Sequence, residues 1–209
     1  MINIVISITN EKNLDRLKIS YFNVEKDMQL GLNWLCLVNN EELYLECRNL
    51  FDSSDKENLV VYSQKENLNK ESIQYLTWAN SYTYIANENV IIPSGALTKL
   101  YKDFLEKPTA GFITGEFIEF PISYWVKDIY GDAGYIKPSS IDGNNFEMLM
   151  DIDTTSIYGI LTPTSLFKEY FGMGDLENYG NRSYGIRLRR QGYKNYLDTS
   201  VKFRYGGKK

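Results

Sequence analysis

The chain of 209 residues contains no histidine. That removes histidine general bases, Ser-His-Asp triads and imidazole metal ligands together. Cysteine is scarce: Cys36 and Cys47 are the only two, and they form no CxxC pair. A cysteine zinc site is therefore not expected. Cys36 sits in the apolar run "WLCLV" and reads as a buried, inert thiol, which suits a reducing compartment. No run approaches the ~20 apolar residues of a spanning helix. The first residues carry no basic n-region or cleavage pattern, so a cytoplasmic location is expected. There is no GxGxxG and no GxxxxGK[ST], so the dinucleotide and P-loop readings lack their glycine cradles. Internal repeats, low-complexity tracts and long Pro/Gly linkers are missing too. An excess of positive charge is also lacking. The net charge of −4 gives the whole chain no electrostatic footprint for nucleic acid, although a basic patch on one face stays open.

What is present is an ordinary globular composition, 43% hydrophobic and 24% charged, on a chain long enough to bury a substantial core. Strand-like and helix-like segments alternate. "INIVISIT" (2–9), "LNWLCLVNN" (32–40), "NLVVYSQ" (58–64), "SYTYIAN" (81–87), "AGFITGEFIEF" (110–120), "DTTSIYGIL" (153–161) and "YKNYLDTSV" (193–201) predict strands. "EELYLECRNLF" (41–51), "KESIQYLTWAN" (70–80), "SGALTKLYKDFLEK" (94–107), "PTSLFKEYF" (163–171) and "SYGIRLRRQG" (183–192) predict helices. In 94–107, Ser94 is the expected N-cap, and Leu97, Leu100, Tyr101, Phe104 and Leu105 form the apolar stripe. Residues 121–148 hold Pro121, Gly131, Gly134, Pro138 and Gly143 and predict an irregular insert. The alternation implies one α/β domain over 1–209 with a mostly parallel central sheet and helices on both faces.

In such sheets ligands sit beyond the carboxyl ends of the strands. Three predicted strands end in polar clusters: Thr9-Asn10, Asn39-Asn40 and Asn87-Glu88-Asn89. Parallel strands would put all three clusters on one edge, which is then the expected binding site.

The ordered pieces resemble the GT-A-fold glycosyltransferases, particularly family-2-like sequences. "VNNEEL" (38–43) looks like that family's Asp-Asn strand end, and "YSQKENLN" (62–69) is similar to its Asn-x-x-Asn-x-Gly turn, with Asn67 in register. "YIANENVIIPSGALTKL" (84–100) looks like its strand, Asp-rich motif, proline and helix. "ENYGNRSYGIRLRRQGYKNYLDTSV" (177–201) is similar to its late acidic pair, helix, Arg-x-x-x-x-Gly-Tyr and strand, and is the most specific match. The resemblance covers most of the chain except 121–148. It implies a GT-A-like, Rossmann-related fold with a nucleotide-binding half (1–107) and an acceptor-binding half (108–209). The implied activity is transfer of a sugar from a nucleotide-sugar donor.

The departures share a direction. Asn39 stands where the family has Asp, Asn87-Glu88-Asn89 where it has Asp-x-Asp, and Asn181-Arg182 where it has Glu-Asp. Arg204-Tyr205 falls near the family's late histidine. Sugar transfer needs a group to neutralise the leaving diphosphate and a base for the acceptor hydroxyl. An oxygen-bound divalent cation normally does the first. Amide oxygens carry no charge, so Glu88 and Asn89 would hold Mn²⁺ or Mg²⁺ only weakly. Arg182, Lys202, Arg204, Lys208 and Lys209 supply cations instead, and a cationic clamp that makes transfer metal-independent is the expectation. Thr9, Asn39, Asn67, Asn87, Glu88 and Asn89 are the expected nucleotide-sugar contacts. Arg182, Arg204 and Lys208 are those of the diphosphate, and Glu177 or Asp175 is the base.

Plainer readings stand beside these. Asn87-Glu88-Asn89 would also serve as a strand-end turn, Asp175 and Glu177 as a solvated loop, and "RLRR" (187–190) as a solvated helix face. Tyr124, Trp125, Tyr130 and Tyr135 would stack on a ligand or simply pack the insert. The expected acceptor is a glycan or small molecule. A base in phage DNA is a second class, unsupported by the acidic balance. Loss of several acids also suits a catalytically silent GT-A-fold protein that binds a ligand or serves as a scaffold for a partner.

Overall fold

A computed structural model describes residues 1–26, 30–52, 58–64, 71–76, 81–118, 124–126, 134–136, 149–152, 154–155, 159–171 and 182–205. Its first unit is strand β1 (Ile2–Ile8), helix α1 (Leu14–Glu25), strand β2 (Leu32–Val38) and helix α2 (Glu41–Phe51). Strands β3 (Leu59–Tyr62), β4 (Tyr82–Asn87) and β5 (Val90–Ile91) follow, then helix α3 (Ala96–Glu106). The second half contributes β6 (Ala110–Ile118), β7 (Tyr124–Val126), β8 (Gly134–Ile136), β9 (Leu149–Ile152) and β10 (Ile160–Pro163). A short helical stretch made of Thr164–Leu166 and a π turn Phe167–Phe171 leads on to helix α4 (Arg182–Arg190) and strand β11 (Lys194–Tyr205).

The main sheet runs β3-β2-β1-β4-β10-β6-β11-β5, with β9 added on β11. The expected parallel pairing holds for β3, β2, β1 and β4. Beyond β4 the sheet is mixed: β10 runs antiparallel to β4 and β6, and β11 is parallel to β6 but antiparallel to β5 and β9. One sheet therefore continues from the first half of the chain into the second.

The period of two along β1 divides the core. Ile2, Ile4, Ile6 and Ile8 join Trp34, Tyr84, Leu97, Leu100, Phe104 and Phe203 on the face covered by α1, α2 and α3. Val5 points the other way, toward Leu35, Ile85, Phe112, Phe167, Tyr184 and Leu188, under the 164–171 stretch and α4. Tyr21, Trp34 and Phe51 pack as one aromatic group that fastens α1 and α2 to β2.

Helix α2 begins and ends where the sequence predicts. Asn40 has an extended backbone, and its Oδ1 accepts from Glu42 N at 2.7 Å and Leu43 N at 3.5 Å. Glu41 and Glu42 lie in the first turn and Arg48 in the last, complementing the helix dipole. Asn40→Ala is expected to lower stability by about 1 kcal/mol in chemical denaturation, the usual cost of an N-cap.

Several expectations are corrected. Helix α1 was not predicted, although Leu14, Leu17, Tyr21 and Val24 line its buried face. The cap of α3 is Gly95 at φ +81 with no side-chain capping bond, not Ser94, and Leu105 is 63% exposed and so outside the stripe. Of the helix expected over 70–80, the described residues 71–75 are helical, ending in a 3-10 turn at Ile73–Tyr75. Of the strand expected over 153–161, only Ile160 and Leu161 lie in a described strand, β10, which Gly159 at φ +76 precedes; β9 ends before the expected range, at Ile152. The insert expected to be irregular contains an antiparallel ladder in which Trp125 faces Tyr135. β11 runs on to Tyr205, beyond the predicted end at 201.

Candidate functional site

Parallel pairing sets the edge. Ser7 lies opposite both Leu37 and Asn87, so the chain leaving β1, β2 and β4 emerges on the same side of the sheet. Thr9, Asn39 and Asn87-Glu88-Asn89 all stand there. Thr9 and Asn39 are exposed, and the other three are half-buried. The last strand reaches the same rim: Arg204 pairs with Ile91 and Tyr205 with Val90, directly after Asn89. Arg204 thus stands close to the β4–β5 turn, although far from it in sequence.

The side chains of the β4–β5 turn take different partners. The Glu88 carboxylate reaches the residue just after β1, where Thr9 N donates at 2.7 Å and Thr9 Oγ1 lies 2.9 and 3.1 Å from its two oxygens. Asn87 Oδ1 accepts from Asn89 N at 2.8 Å and closes the turn. Asn89 Oδ1 accepts from Arg16 Nη1 at 3.0 Å, and that nitrogen also donates to Asn13 Oδ1 at 2.5 Å. Arg16 lies in the first turn of α1, and the sequence reading missed it. The available signal was the "NLDRL" start of an amphipathic segment; the partner 73 positions away leaves no local trace.

The other expected residues are placed as follows. Arg204 is exposed on β11. Lys202 is exposed and ion-paired with Glu116 on the neighbouring strand. In "RLRR", Arg187 donates to the Tyr170 carbonyl at 2.8 Å and Arg189 pairs with Asp151 at 2.9 Å, so both serve the fold. Asn67, Asp175, Glu177, Asn181, Lys208 and Lys209 lie outside the described residues, as do Tyr130 and Trp78 and the side chain of Arg182. Cys36 and Cys47 are free thiols with no solvent exposure, their sulfurs 3.7 Å apart. Two polar side chains that were not expected stand at the end of β3: Ser63 is buried and hydrogen-bonded to Glu71, and the Ser63 amide donates to the Val38 carbonyl at 2.8 Å.

A charge cluster with two buried carboxylates joins α3 to β11. Lys99 of α3 is 2.7 Å from Asp103 and 2.9 Å from Asp198 of β11. Ser200 donates to Asp198 Oδ1 from its amide at 2.8 Å and its hydroxyl at 2.6 Å. Burial and the neighbouring Asp198 carboxylate push Asp103 up to about 6. Burial opposes charge on Asp198, but its bonds to Asp103, Ser200 and Lys99 win and hold it below the ordinary carboxylate range. Burial would likewise lower Lys99, and its two carboxylate partners raise it instead. The cluster sits at a break in β11: Asp198 pairs with Gly115 but Lys202 with Glu116, so the residues between them bulge out of the ladder.

Architecture and edge together can be matched to known proteins. No protein-family profile and no curated protein sequence matches the chain. Among solved structures, a mannosyltransferase, PcManGT from Pyrobaculum calidifontis, in complex with GDP-Man and Mn²⁺, superposes with a TM-score of 0.68 over 100% of this chain, at 11% identity. The chain has a GT-A-like α/β fold, shared with that protein. The GT-A-like chain spans 57% of the mannosyltransferase's length, and at this identity the likeness is one of fold. No described helix is long and apolar enough to cross a membrane.

The GT-A-like fold raises the question of a divalent ion, and the described residues do not form a site for one. Among the described residues no three His, Cys, Asp or Glu gather into a ligand set. The Glu88 carboxylate is already bonded by Thr9, and the Asn89 oxygen faces a guanidinium, which repels a second cation.

Proposed function

We propose that the protein is a nucleotide-sugar-dependent glycosyltransferase of divergent, family-2-like type. The observation that carries the reading is the shared rim: Thr9, Asn39, Asn87, Glu88 and Asn89 stand together at the carboxyl ends of parallel strands, where an α/β sheet binds ligands. The 1–107 half holds the donor, with Asn67 among its contacts. The 108–209 half holds the acceptor, a glycan or small molecule. Glu177 or Asp175 takes the proton of the acceptor hydroxyl as its oxygen bonds to the anomeric carbon. The bond from that carbon to the diphosphate breaks, and the diphosphate leaves with its electron pair. Arg182, Arg204 and Lys208 stabilise the charge it carries away. A cytoplasmic location accompanies this reading.

The test is a thermal-shift screen of UDP-, GDP-, CDP- and dTDP-sugars with and without Mn²⁺. A true donor at 100 times its Kd is expected to stabilise the protein by about 2.7 kcal/mol. The absence of any shift across the panel would overturn the proposal. One observation favours a second reading, an inactive binder: the single carboxylate of the β4–β5 turn is engaged by Thr9. Donor binding without turnover, with or without acceptors, would select it.

A further inference from the structure

The amides at the β4–β5 turn acquire a purpose once Arg16 is considered. An arginine at a partly buried position ordinarily meets a carboxylate, which cancels its charge. Arg16 is held by two neutral oxygens, Asn13 Oδ1 at 2.5 Å and Asn89 Oδ1 at 3.0 Å, and forms no ion pair with any described carboxylate. Both bonds use one nitrogen, Nη1, and they fix the guanidinium beside the turn while its charge stays uncompensated. Glu88, the nearest acid in sequence to Asn89, is turned away to Thr9, just after the neighbouring strand. The arrangement positions a cation beside the turn and leaves no described set of ligands for a metal ion.

We propose that Arg16, docked on Asn13 and Asn89, is the fixed cation that binds the donor's diphosphate in place of a divalent metal. The proposal rests on the donor-site reading above and adds a residue and a charge mechanism to it. It also explains why an amide stands at position 89. An aspartate there would sit about 3 Å from the guanidinium, pair with it, and remove the positive charge the site depends on. The planar guanidinium retains nitrogens not used in these two bonds, and its fork matches two phosphate oxygens.

Calorimetric titration with UDP and GDP, each against its nucleoside, provides the test, in EDTA and in Mn²⁺, on the wild-type chain and on Arg16→Gln, Arg16→Lys and Asn89→Asp. The wild type is expected to bind one diphosphate equally well in both media. Arg16→Gln should weaken the diphosphate by about 10–100-fold, the usual scale for a lost charged hydrogen bond, and leave the nucleoside unchanged. Arg16→Lys should recover part of the loss. Asn89→Asp should weaken the diphosphate in EDTA and regain it in Mn²⁺, because the new carboxylate neutralises Arg16 and can share a cation. Thermal melts confirm that each variant is folded. If the wild type binds a diphosphate but Arg16→Gln binds it as tightly, or if wild-type binding requires Mn²⁺, the assignment of Arg16 is wrong and the donor site stands. If the wild type binds neither diphosphate in either medium, the donor-site reading fails and this inference fails with it.

Discussion

Gly159→Ala is expected to destabilise the protein by about 2–5 kcal/mol, combining a disfavoured backbone with an overpacked core. Gly159 is buried at φ +76, a region that residues with a Cβ rarely occupy. A Cβ built there would run into the Phe117 ring, which packs on Phe203 at 5.2 Å between centroids. The ring has little freedom to retreat. The glycine backbone is fixed as well: its amide donates to the Ile85 carbonyl at 2.6 Å, and its carbonyl accepts from Thr114 Oγ1 at 3.0 Å. These bonds tie the start of β10 to its neighbours β4 and β6. Urea denaturation measures the loss, and an unchanged midpoint would show that the ring can move aside. The companion variant Phe117→Leu/Gly159→Ala separates the causes, since it relieves the overlap but not the backbone strain.

The charge cluster between α3 and β11 gives the second large effect. Asp198→Ala is expected to cost about 2–4 kcal/mol, because it strips two Ser200 donors of their acceptor and removes one carboxylate partner of Lys99. Asp103→Asn should be nearly neutral at about pH 5, where the folded protein holds this acid protonated and an amide imitates it. The sign of the pH dependence follows from the same group. Asp103 is raised to about 6 in the folded chain, against about 3.9 when unfolded. The folded state therefore binds the extra proton between those values, and stability from this residue is full below about pH 4 and lost as pH rises through about 6. Asp198 acts oppositely: its lowered value adds stability above the ordinary carboxylate range and loses it in stronger acid. The wild type should thus gain stability as pH falls from 7 toward 5. Asp103→Asn should flatten that part of the curve, which denaturation midpoints at each pH will show.

The strand–helix junctions with their own local chemistry were legible in the sequence. α2 is legible to the residue because apolar residues recur among charges over 41–51; the structure adds Asn40 as its cap. β1, β2 and β4 were read because runs of buried β-branched and aliphatic residues have few other uses. From these, the position of the site at one edge follows by topology alone. What escaped depended on distance. The mixed half of the sheet is set by which strand pairs with which, and nothing in "ILTP" announces an antiparallel neighbour. Gly95 displaced Ser94 as the cap of α3 because the backbone turns left-handed there, a choice the chain makes to seat the helix rather than from propensity. Arg16 looked like any charged residue between apolar ones, and its meaning comes from a turn contributed by another strand. Lys202 looked like an unpaired cation until the register placed Glu116 opposite it.

The sheet is bounded by β3, with four residues, and β5, with two, while the added strand β9 has four. The long strands β1, β6 and β11 are interior to it. Among the described residues, an incoming extended chain would thus find brief rows of unpaired amides and carbonyls on which to template itself. A nine-stranded sheet this rich in isoleucine, valine and leucine would otherwise invite edge-to-edge self-association, and the shortness of its outermost members is a built-in guard against it.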